Sequence, residues 1–249
     1  MQQLSQPLPL FGAKNVRELG GYRTESGGVT KTHALLRGDA LHNLTGDDCR
    51  LLYDYGVRCV IDLRSIDERT READRLPALH PDIDYVPVAL QDPVRTRRYA
   101  GEFPPSMWEL YRWLLDDSAE QFRAVFETIL KHPDDCVLFH CSGGKDRTGM
   151  VAMLLLKLAG VDDETVIADY ALTERLMTEV FAVQTAGMQA RGLVVPPYIM
   201  QSPPENMAKT LAYLKSAYGT ARNYLSAIGL TNGQLDALLH KLTGKAAAA

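Results

Sequence analysis

One run of ten residues carries the chemistry of this chain: His140-Cys141-Ser142-Gly143-Gly144-Lys145-Asp146-Arg147-Thr148-Gly149. A thiol directly follows a histidine, and an arginine stands six positions after the thiol. Gly143 and Gly144 permit backbone that other residues adopt at a cost, so successive N–H groups can turn inward as an anion nest. An apolar stretch follows at 150–159, which makes the nest the mouth of a helix and adds the positive end of its dipole. A cysteine at the base of such a nest is favoured as the thiolate. Arg147 can fork two N–H bonds onto phosphate oxygens. Nucleophile, amide donors and planar cation would then surround one tetrahedral anion, with Ser142, Gly143, Gly144, Lys145, Asp146 and Arg147 as the phosphate-binding set.

Other readings of the run fail on spacing. A nucleotide-binding P-loop needs Gly-Lys followed by Ser or Thr, but Gly144-Lys145 is followed by Asp146. A zinc site needs closely spaced Cys and His ligands, and none of Cys49, Cys59, Cys136 and Cys141 forms a CxxC pair. A sulfurtransferase of the rhodanese type also sets a cysteine loop after a strand, but it lacks a terminal arginine followed by Thr-Gly. The expectation is chemistry without a metal or cofactor.

The elements that must position this loop alternate in type. A hairpin is expected from strands at 15–24 and 29–37 around Glu25-Ser26-Gly27-Gly28. Thr45 opens a helix that ends before Gly56, and 57–63 is a short apolar strand. Ser65 and Glu68 form a capping box for the next helix. Residues 83–88 form another strand, leading to a loop at 89–105 with a basic run of Arg95, Arg97 and Arg98. Ser106 with Glu109, and Ser118 with Gln121, box two helices. Residues 136–140 are the strongest central-strand candidate, and 150–159 is apolar nearly all round, as in a buried helix. The remainder is helical, with starts at Asp162, at Ser202-Pro203-Pro204, and at Thr231 with Gln234. This alternation predicts an α/β fold with a central, mostly parallel sheet flanked by helices and a helix-rich C-terminal part.

The chain has 249 residues, 46% hydrophobic and 23% charged, with 27 Lys and Arg against 31 Asp and Glu and a net charge of −4. That supports one sizeable core and argues against general nucleic-acid binding. Residues 1–14 are expected to be an extension, 15–242 a single domain and 243–249 a disordered tail. No basic segment followed by a long apolar run opens the chain, and no apolar stretch is long enough to span a bilayer. The default expectation is a reduced, cytoplasmic protein, with secretion as an effector left open and the oligomeric state not set by the sequence.

The string HC-x-x-GKDRTG resembles the signature of the bacterial atypical tyrosine and dual-specificity phosphatases. Further segments agree in order: residues 15–21 resemble the family's NFRDLGG, 36–41 its FRSxxL, 61–65 its DLRS, 166–170 its VIxDY and 224–230 its YLxxxGL. The resemblance implies hydrolysis of phosphotyrosine through a phosphocysteine, with phosphoserine, phosphothreonine and phosphoinositides as further substrates and inorganic phosphate as product. It implies Cys141 as nucleophile, Arg147 as phosphate ligand, and Thr148 as a hydroxyl directed at the sulfur. His140 would hold the loop, with Asp62 and Arg64 as supporting residues. A module that only captures phosphorylated partners is disfavoured by the intact Cys141, Arg147 and Asp92.

The resemblance points to Asp92 as general acid, with Asp146 and Asp62 as alternatives. Asp62 is also readable as a structural partner of Arg64. Lys145 is expected either beside the phosphate, favouring phosphoinositides, or as a solvated cation. The Arg95, Arg97 and Arg98 run is either a second phosphate or membrane contact or a solvated loop. Residues 181–200 are either a flap or a plain helix connection. Cys59 and Cys136 are candidates for a protective disulfide with Cys141.

Overall fold

A computed structural model describes residues 2–99 and 103–244. In chain order its elements are β1 (Arg17–Glu18), β2 (Leu35–Gly38), α1 (Gly46–Asp54), β3 (Val57–Asp62), α2 (Ile66–Arg71), α3 (Arg75–Leu79), β4 (Asp84–Pro87), α4 (Asp92–Arg98), α5 (Met107–Asp117), α6 (Ala119–Lys131) and β5 (Cys136–His140). There follow α7 (Asp146–Leu158), α8 (Asp163–Ala190), a 3-10 turn (Pro197–Ile199), α9 (Pro204–Tyr218), α10 (Ala221–Ala227) and α11 (Asn232–Thr243). Of the expected tail, Thr243 and Gly244 belong to the last helix and its cap. Residues 245–249 lie outside the described residues.

The sheet has the order β1-β2-β5-β3-β4. β5 pairs in parallel with β2 on one side and β3 on the other. Every residue of Cys136–His140 is buried, as a central strand covered on both faces requires. β1 alone runs antiparallel, against β2. One face of the sheet packs on a large core that includes Tyr111, Phe122, Phe126, Phe139 and Met150. The other packs on a smaller core with Leu44, Leu52, Val60 and Leu138. The fold is thus α/β with a central, mostly parallel sheet. Among the described residues, no helix is long and apolar enough to cross a membrane.

Several local expectations are corrected. The N-terminal hairpin shrinks to the two residues of β1, with a single further bridge between Arg23 and Val29. Backbone bonds from Gly21 to Thr30, from Thr30 to Tyr22 and from Thr24 to Gly28 persist at 2.8–2.9 Å, and Thr30 Oγ1 adds to them, accepting from the Tyr22 amide at 2.9 Å and donating to the Leu19 carbonyl at 2.7 Å. The 89–105 loop contains α4, which Pro93 opens in its first turn. Ser118 precedes α6 without a side-chain capping bond. α7 begins at Asp146, inside the glycine loop, four residues before the apolar stretch. α8 runs 28 residues, through Gly187 to Ala190.

Candidate active site

The loop after β5 is held from outside through its carbonyls. Asn15 Nδ2 donates to the Gly143 carbonyl at 2.9 Å, and Arg37 Nη2 to the Gly144 carbonyl at 2.7 Å. Gly144 has φ +64°, and a Cβ there would meet the Gly38 carbonyl at 2.6 Å, so this position requires glycine. At Gly143 a Cβ would meet the Phe181 ring at 2.8 Å. With the carbonyls drawn outward, the amides of Gly143, Gly144, Lys145, Asp146 and Arg147 donate to no protein group among the described residues. Unengaged amides are what an anion nest requires, and α7 leaves the loop directly.

The clamps on the loop explain the flanking motifs. Asp169 on α8 pairs with Arg17 at 3.0 Å and with Arg37, all three buried. Tyr22 donates to the same carboxylate at 3.0 Å. Asp39 accepts from the amides of Lys14 and Asn15 at 3.0 and 2.9 Å. Unpaired buried charges would cost several kcal/mol each, so these segments fix one another and, through Asn15 and Arg37, the loop.

Cys141 follows β5 and is 2% exposed. Arg147, in the first turn of α7, meets a residue that the sequence assigned only to helix capping. Its Nη1 donates to Glu68 Oε2 at 2.6 Å and its Nη2 to Glu68 Oε1 at 2.9 Å. Glu68 is itself fixed by the Ser65 amide at 2.8 Å and by Ser142 Oγ at 2.5 Å. Burial opposes charge on both partners, but their bonds outweigh it, so Arg147 is raised and Glu68 lowered from their ordinary values. Arg147 Nε is buried and has no protein partner among the described residues.

Asp92 is the first residue of α4, and it shares a cavity of about 860 Å³ with Glu68, Asp146 and Arg147. Burial pushes its carboxyl above the ordinary value; Arg147 opposes this and Glu68 adds to it. Its side chain has no hydrogen-bond partner among the described residues. The rival carboxylates are both engaged. Asp62 is fully buried and bonded by Arg64 Nη2 at 2.7 Å and by Tyr85 at 2.7 Å. Burial raises the Asp62 carboxyl, but Arg64 outweighs it and the net shift is downward. Asp146 accepts from Tyr111 at 2.5 Å and lies 3.5 Å from Lys145 Nζ.

His140 lies 2.9 Å from Asp74, which also pairs with Arg64 at 2.8 Å. Burial disfavours the imidazolium, but Asp74 and then Asp62 raise His140 to about 9. His140, Asp62 and Arg64 therefore meet in one buried ionic cluster below the loop.

Three expectations are corrected. Thr148 Oγ1 donates to the Gly38 carbonyl at 3.5 Å, joining α7 to β2, and makes no hydrogen bond to the sulfur. Lys145 neither faces the cavity nor is solvated. It is 2% exposed, and its Nζ donates to the carbonyls of Ile199 and, at 3.0 Å, Gln201. That removes the ground for a lipid preference based on Lys145. Of the basic run, Arg95 lines the cavity, whereas Arg98 bonds Asp117 at 2.6 Å and Arg97 lies 3.9 Å from it.

The protective disulfide with Cys141 is also excluded by distance. Cys136 opens β5 and Cys59 pairs with Val137. At about 3.3 Å per residue both lie beyond 10 Å from Cys141, whereas a disulfide needs Cα atoms within about 7 Å. Residues 181–200 divide between the two readings. Phe181 lies in α8, while Met188, Arg191, Leu193 and Ile199 wall the cavity. Tyr198 donates to the Pro104 carbonyl at 2.7 Å, joining this wall to the opposite rim.

A thiol, an open amide nest and a fixed guanidinium on a strand–loop–helix unit belong to the class of phosphatases. The chain belongs to the tyrosine phosphatase family, whose model matches residues 8–244, and it is a protein-tyrosine phosphatase. It is 32% identical over 226 residues to a tyrosine-protein phosphatase of Nostoc commune, covering 84% of this chain and 74% of that one. A 34-residue stretch, 14% of this chain and 12% of the other, is 53% identical to the triple specificity protein phosphatase PtpB of Mycobacterium tuberculosis. The crystal structure of P. aeruginosa TpbA aligns with a TM-score of 0.45 at 13% identity, over 91% of this chain and 96% of that one.

Proposed function

We propose that this phosphatase hydrolyses phosphotyrosine through a phosphocysteine on Cys141. The observation that carries the reading is the open nest: five consecutive amides with no protein acceptor among the described residues, between Cys141 and the guanidinium of Arg147. In the first step the Cys141 sulfur forms a bond to phosphorus as the ester oxygen leaves, taking the proton of Asp92. In the second step water attacks the phosphocysteine, gives its proton to Asp92, and releases the thiolate. The amides and the Arg147 Nε stabilise the equatorial oxygens throughout. Glu68 holds the far edge of the guanidinium. A carboxyl with a raised pKa is protonated more of the time near neutral pH, which suits Asp92 to the acid role.

That the mycobacterial relative is a triple specificity protein phosphatase supports a substrate range wider than one class. Phosphoserine and phosphothreonine therefore belong in the substrate panel beside phosphotyrosine and a phosphoinositide. The test is steady-state hydrolysis of an aryl phosphate in EDTA by wild type and Cys141→Ser. The expected result is turnover by the wild type and its loss in the variant; equal rates contradict the nucleophile assignment.

A further inference from the structure

Far from the loop, three side chains of different ligand chemistry converge. Cys59 on β3 stands in register with Asp84, the first residue of the edge strand β4. Both meet His132, which caps the C-terminus of α6. One ligand atom from each of the three lies within 4.8 Å of the others. His132 Nε2 is 3.0 Å from Asp84 Oδ2, and its Nδ1 is 3.1 Å from Asp135 Oδ2. Lys241 Nζ donates to the carbonyls of His132 and Asp135, each at 2.7 Å, and so fixes the turn that presents the imidazole.

We propose that Cys59, Asp84 and His132 form a binding site for a zinc-class divalent cation. A thiolate, an imidazole and a carboxylate are the donor types such ions take, whereas calcium and magnesium prefer oxygen alone. Bonds of about 2.0–2.3 Å put tetrahedral ligands roughly 3.5 Å apart, so the trio needs to contract by about an ångström. Asp135 supplies the outer carboxylate that holds the Nδ1 proton and leaves the Nε2 lone pair for the metal. On binding, the Cys59 thiol proton and the proton shared between His132 Nε2 and Asp84 both pass to solvent, the freed Nε2 and carboxylate each bond the metal, and water fills the fourth position. The ion would tie β4 to β3 and α6. Cys59 pairs with Val137 near the start of β5, whereas Cys141 follows its end, so the site is separate from the phosphate chemistry.

The test uses the full chain, stripped of metal, in a Cys141→Ser background that removes the catalytic thiol. Cobalt(II) is titrated while the thiolate-to-cobalt charge-transfer band is recorded, and zinc is then added. The expected result is a band that saturates at one equivalent, is displaced by zinc, and disappears with Cys59→Ser. Asp135→Asn, which removes the outer carboxylate, should weaken zinc binding about 10- to 100-fold, and His132→Gln, which removes a ligand, should weaken it more. A band that persists in Cys59→Ser, the absence of any thiolate band, or zinc affinity unchanged by His132→Gln would overturn the proposal.

Discussion

Arg147 and Glu68 form a two-pronged ion pair, at 2.6 and 2.9 Å, across 79 positions of sequence. The pair joins the first turn of α7 to the first turn of α2, and the Glu68 carboxylate is also the acceptor of the α2 capping box. One side chain thus sets a helix start and the plane of the guanidinium proposed to bind phosphate. Removing its charge leaves Arg147 free to rotate and partly uncompensated. Glu68→Gln is expected to lower kcat about 10²-fold, the usual cost of misplacing a positioned group. KM should change far less. Steady-state kinetics on an aryl phosphate check this; a KM effect alone would assign Glu68 to substrate binding.

Arg147→Lys keeps the charge and loses the fork. An ammonium cannot satisfy Glu68 with two parallel bonds and still present a donor to phosphate. The rate should fall by roughly 10²–10³-fold, with circular dichroism unchanged. A rate within a few-fold of wild type would mean that planar donation is unimportant.

In the proposed mechanism Asp92 acts in its protonated form in the first step, and burial raises its pKa. The rate for phenyl or alkyl phosphates should therefore fall as pH rises through the Asp92 pKa. Asp92→Asn should remove that basic limb and slow poor leaving groups about 10²–10⁴-fold. Esters with good leaving groups should be slowed much less. If Asp146→Asn shows this pattern in place of Asp92→Asn, the acid is on α7.

How much of this was legible in the sequence follows from range. The strand, glycine loop and helix around Cys141 lie within about twenty residues, so local pattern defined them. The clamps from Asn15, Arg37 and Asp169 announced themselves as motifs without announcing their partner. Glu68 carried a signal for capping, which was correct and incomplete, because the Arg147 contact depends on how β3 and β5 align. Lys145 was misplaced because its acceptors, the carbonyls of Ile199 and Gln201, lie 54 and 56 positions away. The hairpin is shorter than expected because it breaks between Thr30 and Leu35, where the Lys31 amide goes to the Leu242 carbonyl and the His33 amide to the Glu18 carboxylate, with His33 at φ +57°.

Below the loop, His140 and Asp74 make stability depend on pH. The folded pKa of His140 is about 9, against about 6.5 for an unperturbed histidine. A raised pKa stabilises the fold fully below the unfolded value, and the contribution is lost as pH rises through about 9. Between pH 7 and pH 10 this removes roughly 2–3 kcal/mol. The gap between thermal melts of wild type and Asp74→Asn should narrow from pH 7 towards pH 10, leaving the share that Asp74 owes to Arg64. A difference independent of pH would show that the pair is not ionic.

The central claim is that phosphate passes through Cys141. Mass spectrometry of the enzyme, acid-quenched within one turnover of an aryl phosphate, tests it most directly. Asp92→Asn, with a good leaving group, should accumulate the intermediate because the water-activating carboxylate is gone. The account predicts one phosphoryl group on the peptide containing Cys141, absent from Cys141→Ser. A phosphoryl group on another residue, or wild-type turnover by Cys141→Ser, would contradict it.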